Sequence, residues 1–257
     1  MEIILVIIGV FLLTALASIG IAQNKAVREK LLVAIRAVDL FEVTWRDWFF
    51  APLVRPIARV GIHPNVITLS GVALSGVLAA AFFKNADPLG IFLIAVVAAL
   101  SDTFDGMVAR AAGKVTALGG SLDGIRDFLL FIVLTVGILV YRLAPPTLII
   151  AFFAGNALVG FLKLCEIFLR RDAQGFVSSV ASRSSGEGKI SIDRIKFACY
   201  ALGCLAALLG QAGVEWIVVA VPVIFWVSTL SVFLSIAAHS VIIVSLLRLR
   251  PQTQTVT

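Results

Sequence analysis

Apolar stretches of roughly the length a helix needs to cross a bilayer recur along the chain, at 2–22, 65–83, 89–109, 121–141, 146–168, 195–211 and 214–247. The last is long enough to tilt, to bend at Pro222, or to run past the bilayer. In lipid every backbone polar group must find its partner internally, so the pattern predicts an all-α, polytopic transmembrane helical bundle. No repeat is evident, and low complexity is confined to the short polar tail 251–257. Ala15-Leu16-Ala17 mimics a signal-peptide cleavage site. Met1-Glu2, however, has no basic residue and the basic charges follow the first span, so an uncleaved anchor is expected.

The polar positions refine this picture. With a mean hydropathy of +1.07 and 14% charged residues the chain is not a soluble domain. Its basic residues alternate between loops. Lys25, Arg28, Lys30, Arg36, Arg46, Arg55 and Arg59 follow the first span, Arg110 and Lys114 follow the third, a cluster from Arg170 to Lys196 follows the fifth, and Arg248 and Arg250 close the chain. The intervening loops hold little beyond Lys84 and Arg142. Basic loops stay cytoplasmic, so the N-terminus is expected outside, and the cell membrane is the expected location. In "FEVTWRDWFFAPLVRPIARV", Trp45, Trp48, Phe49 and Phe50 are mixed with Arg46, Arg55 and Arg59, which suits an amphipathic helix lying on the cytoplasmic surface. The pI of 9.6 then reports attraction to anionic lipid, and no nucleic-acid partner is expected. Cys165, Cys199 and Cys204 fall within predicted spans, without metal-ligand spacing, and read as small apolar filler. His63 precedes Pro64 and reads as a helix cap or headgroup contact; His239 reads as a partner in an interhelical hydrogen bond.

Candidate chemistry is concentrated in "DTFDGMVARAAGKVTALGGSLDGIRD", residues 102–127. Acidic groups at membrane spans are costly and usually functional. On a helix, Asp105 lies about 60° from Asp102, Gly106 about 40° and Ala109 about 20°, so two carboxylates share a face with two tiny side chains. Gly119, Asp123 and Asp127 follow at i, i+4, i+8, again on one face. A loop around 113–118 would let the two helices run antiparallel and bring the faces together. Four converging carboxylates need cations among them. Oxygen-only ligands favour two divalent ions, Mg²⁺ or Mn²⁺, and paired ions suit phosphoryl displacement. Arg110, one turn beyond Gly106, is placed to meet a phosphate. The competing reading is a set of helix-end aspartates offset by Arg110, Lys114 and Arg126.

The arrangement D-x-x-D-G-x-x-A-R, then residues 111–118, then G-x-x-x-D-x-x-x-D resembles the signature of the CDP-alcohol phosphatidyltransferases. Asp102, Asp105, Gly106, Ala109, Arg110, Gly119, Asp123 and Asp127 fill it. "HPNVIT" upstream resembles that family's cytidine-nucleotide loop, and the resemblance covers residues 44–247. It implies a six-helix catalytic core at 64–248 preceded by an extra transmembrane anchor (1–23) and the cytoplasmic-face linker and interfacial helix (24–63), with a polar tail at 249–257. It further implies that Asp102, Asp105 and Asp123 hold one metal ion and Asp102, Asp123 and Asp127 the second. Asn65, Val66, Ile67, Thr68, Gly106, Arg110 and Thr116 would bind the CDP-linked lipid. Asp127 would be the catalytic general base, a homodimer is implied, and CMP would leave as the lipid phosphate is transferred to a small alcohol.

Basic residues in and near the segment 170–196, Arg183, Lys189 and Arg194, together with Lys163, are candidates for holding an acceptor that carries its own phosphate, such as glycerol 3-phosphate or an inositol phosphate. Topology alone also makes such a loop basic. The second aspartate pair reads "LDGIRDF" where many glycerol-phosphate members resemble L-D-P-x-A-D-K, which leaves free alcohols such as serine or inositol open. Two other classes use acidic membrane residues. An intramembrane prenyltransferase would place its motifs on well-separated helices, and a divalent-cation carrier would hold its acids near mid-bilayer with repeat symmetry.

Overall fold

The computed structural model describes residues 2–60, 63–113, 117–174 and 191–249. These form α1 (Glu2–Ala22), α2 (Lys25–Val60), α3 (Pro64–Phe83), α4 (Pro88–Ala111), α5 (Ala117–Val140), α6 (Pro146–Gln174), α7 (Ser191–Gln211), the single turn α8 (Glu215–Val218) and α9 (Ala220–Leu249). The fold is the expected all-α polytopic bundle, with no strand among the described residues. Leu5–Ala22, Asn65–Phe83, Pro88–Ala111, Pro146–Leu169 and Glu215–Arg248 are long and apolar enough to cross a membrane. Helices α5 and α7 also form where spans are predicted. Asp123, Arg126 and Asp127 on α5, and Asp193, Arg194 and Lys196 on α7, reduce the apolar content of their first turns.

Local chemistry sets the ends of these helices. His63 caps α3 by accepting a hydrogen bond from the Asn65 amide (3.3 Å), with Pro64 in the first turn. Asp87 caps α4 by accepting from the Gly90 amide (3.1 Å), again followed by proline. Asn85 (φ 50°), Arg142 (φ 54°) and Gly213 (φ 102°) close α3, α5 and α7 in left-handed conformations. At each, paired backbone bonds reach back into the last turn, as in Ala86 to Ala81 and Asn85 to Phe82. The break at Val219 separates α8 from α9 because Pro222 has no amide proton to donate to the Val218 carbonyl. The bend predicted at Pro222 thus falls one turn before it.

Several boundaries differ from expectation. Helix α2 runs unbroken for 36 residues through Pro52 and Pro56, so the whole of 25–60 is helical where a linker and a shorter surface helix are predicted. Trp45, Trp48 and Phe49 on it are exposed, as an interfacial helix requires. Helix α7 begins four residues before the predicted span. Arg194 and Lys196, placed by the sequence in a loop, therefore sit in its first turns, and Lys196 is buried.

The chain divides into two units. The first comprises Met1–Val43, Thr147–Phe197 and Trp226–Thr257. In it Phe11 lies against Phe233 (4.6 Å between centroids), and Gly155 is needed because a Cβ there would meet Val232 at 2.5 Å and Phe11 at 2.7 Å. Ala22, Val241 and Val244 pack with Ile19 and Leu32. The second comprises Thr44–Pro146 and Ala198–Phe225. Here α3 packs on both α4 and α5, and Phe50, Val54 and Ile57 of α2 close over Ile67, Phe104, Met107 and Val108. Tyr200 lies between Phe131 and Phe225, with its hydroxyl 2.8 Å from that of Thr135. At the far end of α3 and α5 the Tyr141 hydroxyl is 2.7 Å from both the Phe82 carbonyl and Asn85 Oδ1.

Candidate active site

Three helices of the second unit build the site. Asp105 stands on α4, one turn after Asp102, and Asp123 and Asp127 stand one turn apart on α5. The helical period predicts the shared facing; among the described side chains Asp105, Asp123 and Asp127 converge on one point, and the side chain of Asp102 lies outside the described residues. What occupies that point is the guanidinium of Arg126. One of its amino groups, Nη1, donates to Asp105 Oδ2. The other, Nη2, donates to Asp123 Oδ1 at 2.5 Å and to Asp127 Oδ1 at 2.7 Å. The Arg126 side chain is completely buried, whereas Asp127 is about half exposed (48%).

Helix α3 supports this group from behind. Thr68, itself buried, donates its hydroxyl to Asp105 Oδ2 at 2.7 Å. The Gly106 amide bonds Asp105 Oδ1. Gly71, one turn beyond Thr68, is where the arginine stem passes. A Cβ at Gly71 would stand 2.4 Å from Arg126 Cδ and 2.8 Å from Ser101 Oγ. Asn65 is half-buried at the start of the same helix, Val66 is exposed, and Ile67 turns into the apolar cluster with Phe104 and Met107. Arg110 is 45% exposed, and its Nη2 lies 3.9 Å from Asp47 Oδ1. Thr116 lies outside the described residues.

The donor chemistry fits divalent cations: the convergent ligands are all carboxylate oxygens, and they already enclose a positive charge. Among the described side chains, no three acidic, histidine or cysteine groups form a ready metal-ligand set. The guanidinium, which sequence reasoning assigned only to charge offset, is bonded to the oxygens that a metal would use. The signal that could have found it is positional: Arg126 is one residue from Asp127 and one turn from Asp123.

Of the acceptor candidates, Lys163 and Arg194 are described and fall in the first unit, Lys163 beside a buried polar group on α6, α7 and α9. Lys163 Nζ is 2.6 Å from Asp193 Oδ2 and Lys196 Nζ is 3.0 Å from Asp193 Oδ1. His239 Nε2 is 3.0 Å from Asp193, while its Nδ1 bonds Glu166. His239 thus makes the interhelical bonds expected of it. The Ser235 hydroxyl donates to Asp193, and Arg194 pairs with Glu42 of α2 at 2.9 Å. Arg183 and Lys189 lie outside the described residues. Glu166, Asp193 and Lys196 escape a sequence reading because they are scattered among apolar or loop-like neighbours and meet only in three dimensions.

Residues 61–237 match the CDP-alcohol phosphatidyltransferase family, and the chain belongs to it. With its apolar helices, this makes it an integral membrane protein. Among relatives, it is 37% identical over 73 residues to archaetidylinositol phosphate synthase of Pyrococcus horikoshii, covering 28% of this chain and 38% of that one. It is 32% identical over 112 residues to archaetidylinositol phosphate synthase of Aeropyrum pernix, covering 42% of this chain and 54% of that one. An uncharacterized protein of Aquifex aeolicus is 36% identical over 77 residues, covering 30% and 38%. The match therefore spans about half, or less, of the length of these curated relatives. No solved structure matches the chain.

Proposed function

We propose that the protein is a phospholipid-synthesising transferase, moving the lipid-phosphate group of a CDP-linked lipid to the hydroxyl of a small alcohol with release of CMP. The observation that carries this reading is the convergence of Asp105, Asp123 and Asp127 on a single cationic point, within a chain of this family. The acceptor we favour is an inositol phosphate. Two relatives are named archaetidylinositol phosphate synthase, after a product that contains inositol phosphate, and Lys163 and Arg194, now paired with Asp193 and Glu42, are the described cations proposed to meet its phosphate.

In this reading Asp102, Asp105, Asp123 and Asp127 hold two divalent cations, Mg²⁺ or Mn²⁺, which when bound supply charge neutralisation at the diphosphate. Asn65, Val66, Ile67, Thr68, Gly106, Arg110 and Thr116 form the binding surface for the CDP-linked lipid. Thr68 holds Asp105 in place, and half-exposed Arg110 can turn to a phosphate. Asp127, the most exposed of the three described carboxylates, takes the acceptor's hydroxyl proton. The freed oxygen attacks the lipid-attached phosphorus, the bond to the CMP oxygen breaks, and CMP departs with that electron pair. A carboxylate is a weak base for an alcohol, so positioning carries much of the rate. The site faces the cytoplasm, since basic residues flank it and both CDP-lipid and CMP are handled there. A homodimer in the cell membrane completes the proposal.

The test is CMP release by purified protein in detergent, with CDP-diacylglycerol or its ether-lipid counterpart, Mg²⁺ or Mn²⁺, and acceptors supplied one at a time. Release is expected with inositol phosphate and is expected to vanish in Asp127→Asn. Protein that neither releases CMP with any acceptor nor binds CDP would refute the transferase reading.

A further inference from the structure

Arg126 is the feature of the site that the family signature does not use, since it falls at a position that the motif leaves unspecified. Its placement is nonetheless built. The side chain is wholly buried, both terminal nitrogens are committed to three carboxylates, and α3 is notched at Gly71 so that the stem can pass. An arginine that merely offsets nearby charge would remain at the surface and need no notch. The oxygens it holds, on Asp105, Asp123 and Asp127, are among those a divalent cation would take. Guanidinium protons and a metal ion compete for the same lone pairs, and like charges this close repel strongly.

We propose that Arg126 is a built-in counter-cation of the aspartate cradle. It keeps the carboxylates gathered, and it must withdraw from Asp123 and Asp127 before a divalent cation can take them. The divalent affinity of the site is therefore set by Arg126 as well as by the aspartates, and the notch at Gly71 tunes it. This rests on the metal-dependent reading above. Arg126 acts here as a positioning residue, through the aspartates.

The experiment is a Mn²⁺ titration of the purified full chain in detergent, reading free Mn²⁺ by electron paramagnetic resonance, alongside thermal unfolding with and without Mn²⁺. R126M is expected to bind Mn²⁺ at least about tenfold more tightly than the wild type, with R126K between them. G71A retains the arginine but fills its notch, and should shift Mn²⁺ affinity in the same direction. Without added metal R126M should unfold at lower temperature than the wild type, and saturating Mn²⁺ should raise its midpoint by more. If R126M does not fold, R126K and G71A carry the comparison. Unchanged affinity in the folded variants, or weaker binding in R126M, would overturn the counter-cation role while leaving the metal site intact. Absence of Mn²⁺ binding in the wild type and every variant, in protein that still binds CDP, would overturn the metal reading and this inference together.

Discussion

Replacing Asp193 with asparagine removes one negative charge from the buried group on α6, α7 and α9 and changes almost nothing in shape. Asp193 is the hub: Lys163 at 2.6 Å, Lys196 at 3.0 Å, His239 at 3.0 Å and the Ser235 hydroxyl all meet its two oxygens. Asparagine keeps an oxygen for Ser235 but leaves two ammonium groups facing each other. Their contributions differ. The Lys163 side chain is 33% exposed and can turn to water, so its pair with Asp193 is discounted. The Lys196 side chain is 1% exposed and has no such escape. Breaking one buried pair costs about 3–5 kcal/mol, and since Ser235 Oγ still accepts from Lys196 at 3.2 Å the lower end applies, about 3 kcal/mol. For a chain of this size that lowers the unfolding midpoint by about 6–12 °C. The assay is thermal unfolding of D193N in detergent, followed by circular dichroism. The double variant D193N/K196M removes the stranded charge as well and should recover about 1–2 kcal/mol relative to D193N. A D193N midpoint within about 1 °C of the wild type, or a double variant no better than the sum of its singles, would refute the hub assignment.

Three further outcomes follow from the second unit. Thr68→Val deletes a buried hydroxyl bond to a carboxylate, worth about 1.5–3 kcal/mol, so Mn²⁺ affinity should fall by about tenfold or more while the helical circular dichroism spectrum is kept. Gly137→Ala places a Cβ 2.4 Å from the Phe82 ring and should destabilise by about 1–3 kcal/mol; Phe82→Leu in the same chain should restore much of the loss in a thermal melt. Chelation with EDTA should abolish CMP release, and Mn²⁺ or Mg²⁺ added back should restore it, whereas activity that persists in EDTA would contradict the role given to the aspartates.

What the sequence determined by itself is whatever depends on near neighbours along the chain. Apolar runs place the helices because each must bury its side chains in protein or turn them to bilayer lipid. His63-Pro64 and Asp87-Pro88 start α3 and α4 because capping acts within one turn. The shared facing of Asp123 and Asp127 follows from the 3.6-residue period alone, and so does that of Asp102 and Asp105 along their helix. The family signature is legible for the same reason, since its residues lie within one helix pair.

Tertiary structure decided what depends on groups from different helices. Arg126 could be seen beside Asp127, but its burial required Gly71, 55 positions upstream in numbering, to leave room on α3, and Thr68 to fix Asp105 from the same helix. Lys196 looked like a loop cation and became a buried partner of Asp193, because α7 starts earlier than its apolar run and α9 supplies Ser235 and His239. A buried charge is tolerable only where opposite charge and hydrogen bonds are already in place, and those partners come from other parts of the chain. Local pattern therefore names the helices and the acidic face, whereas only packing can say which cation that face encloses.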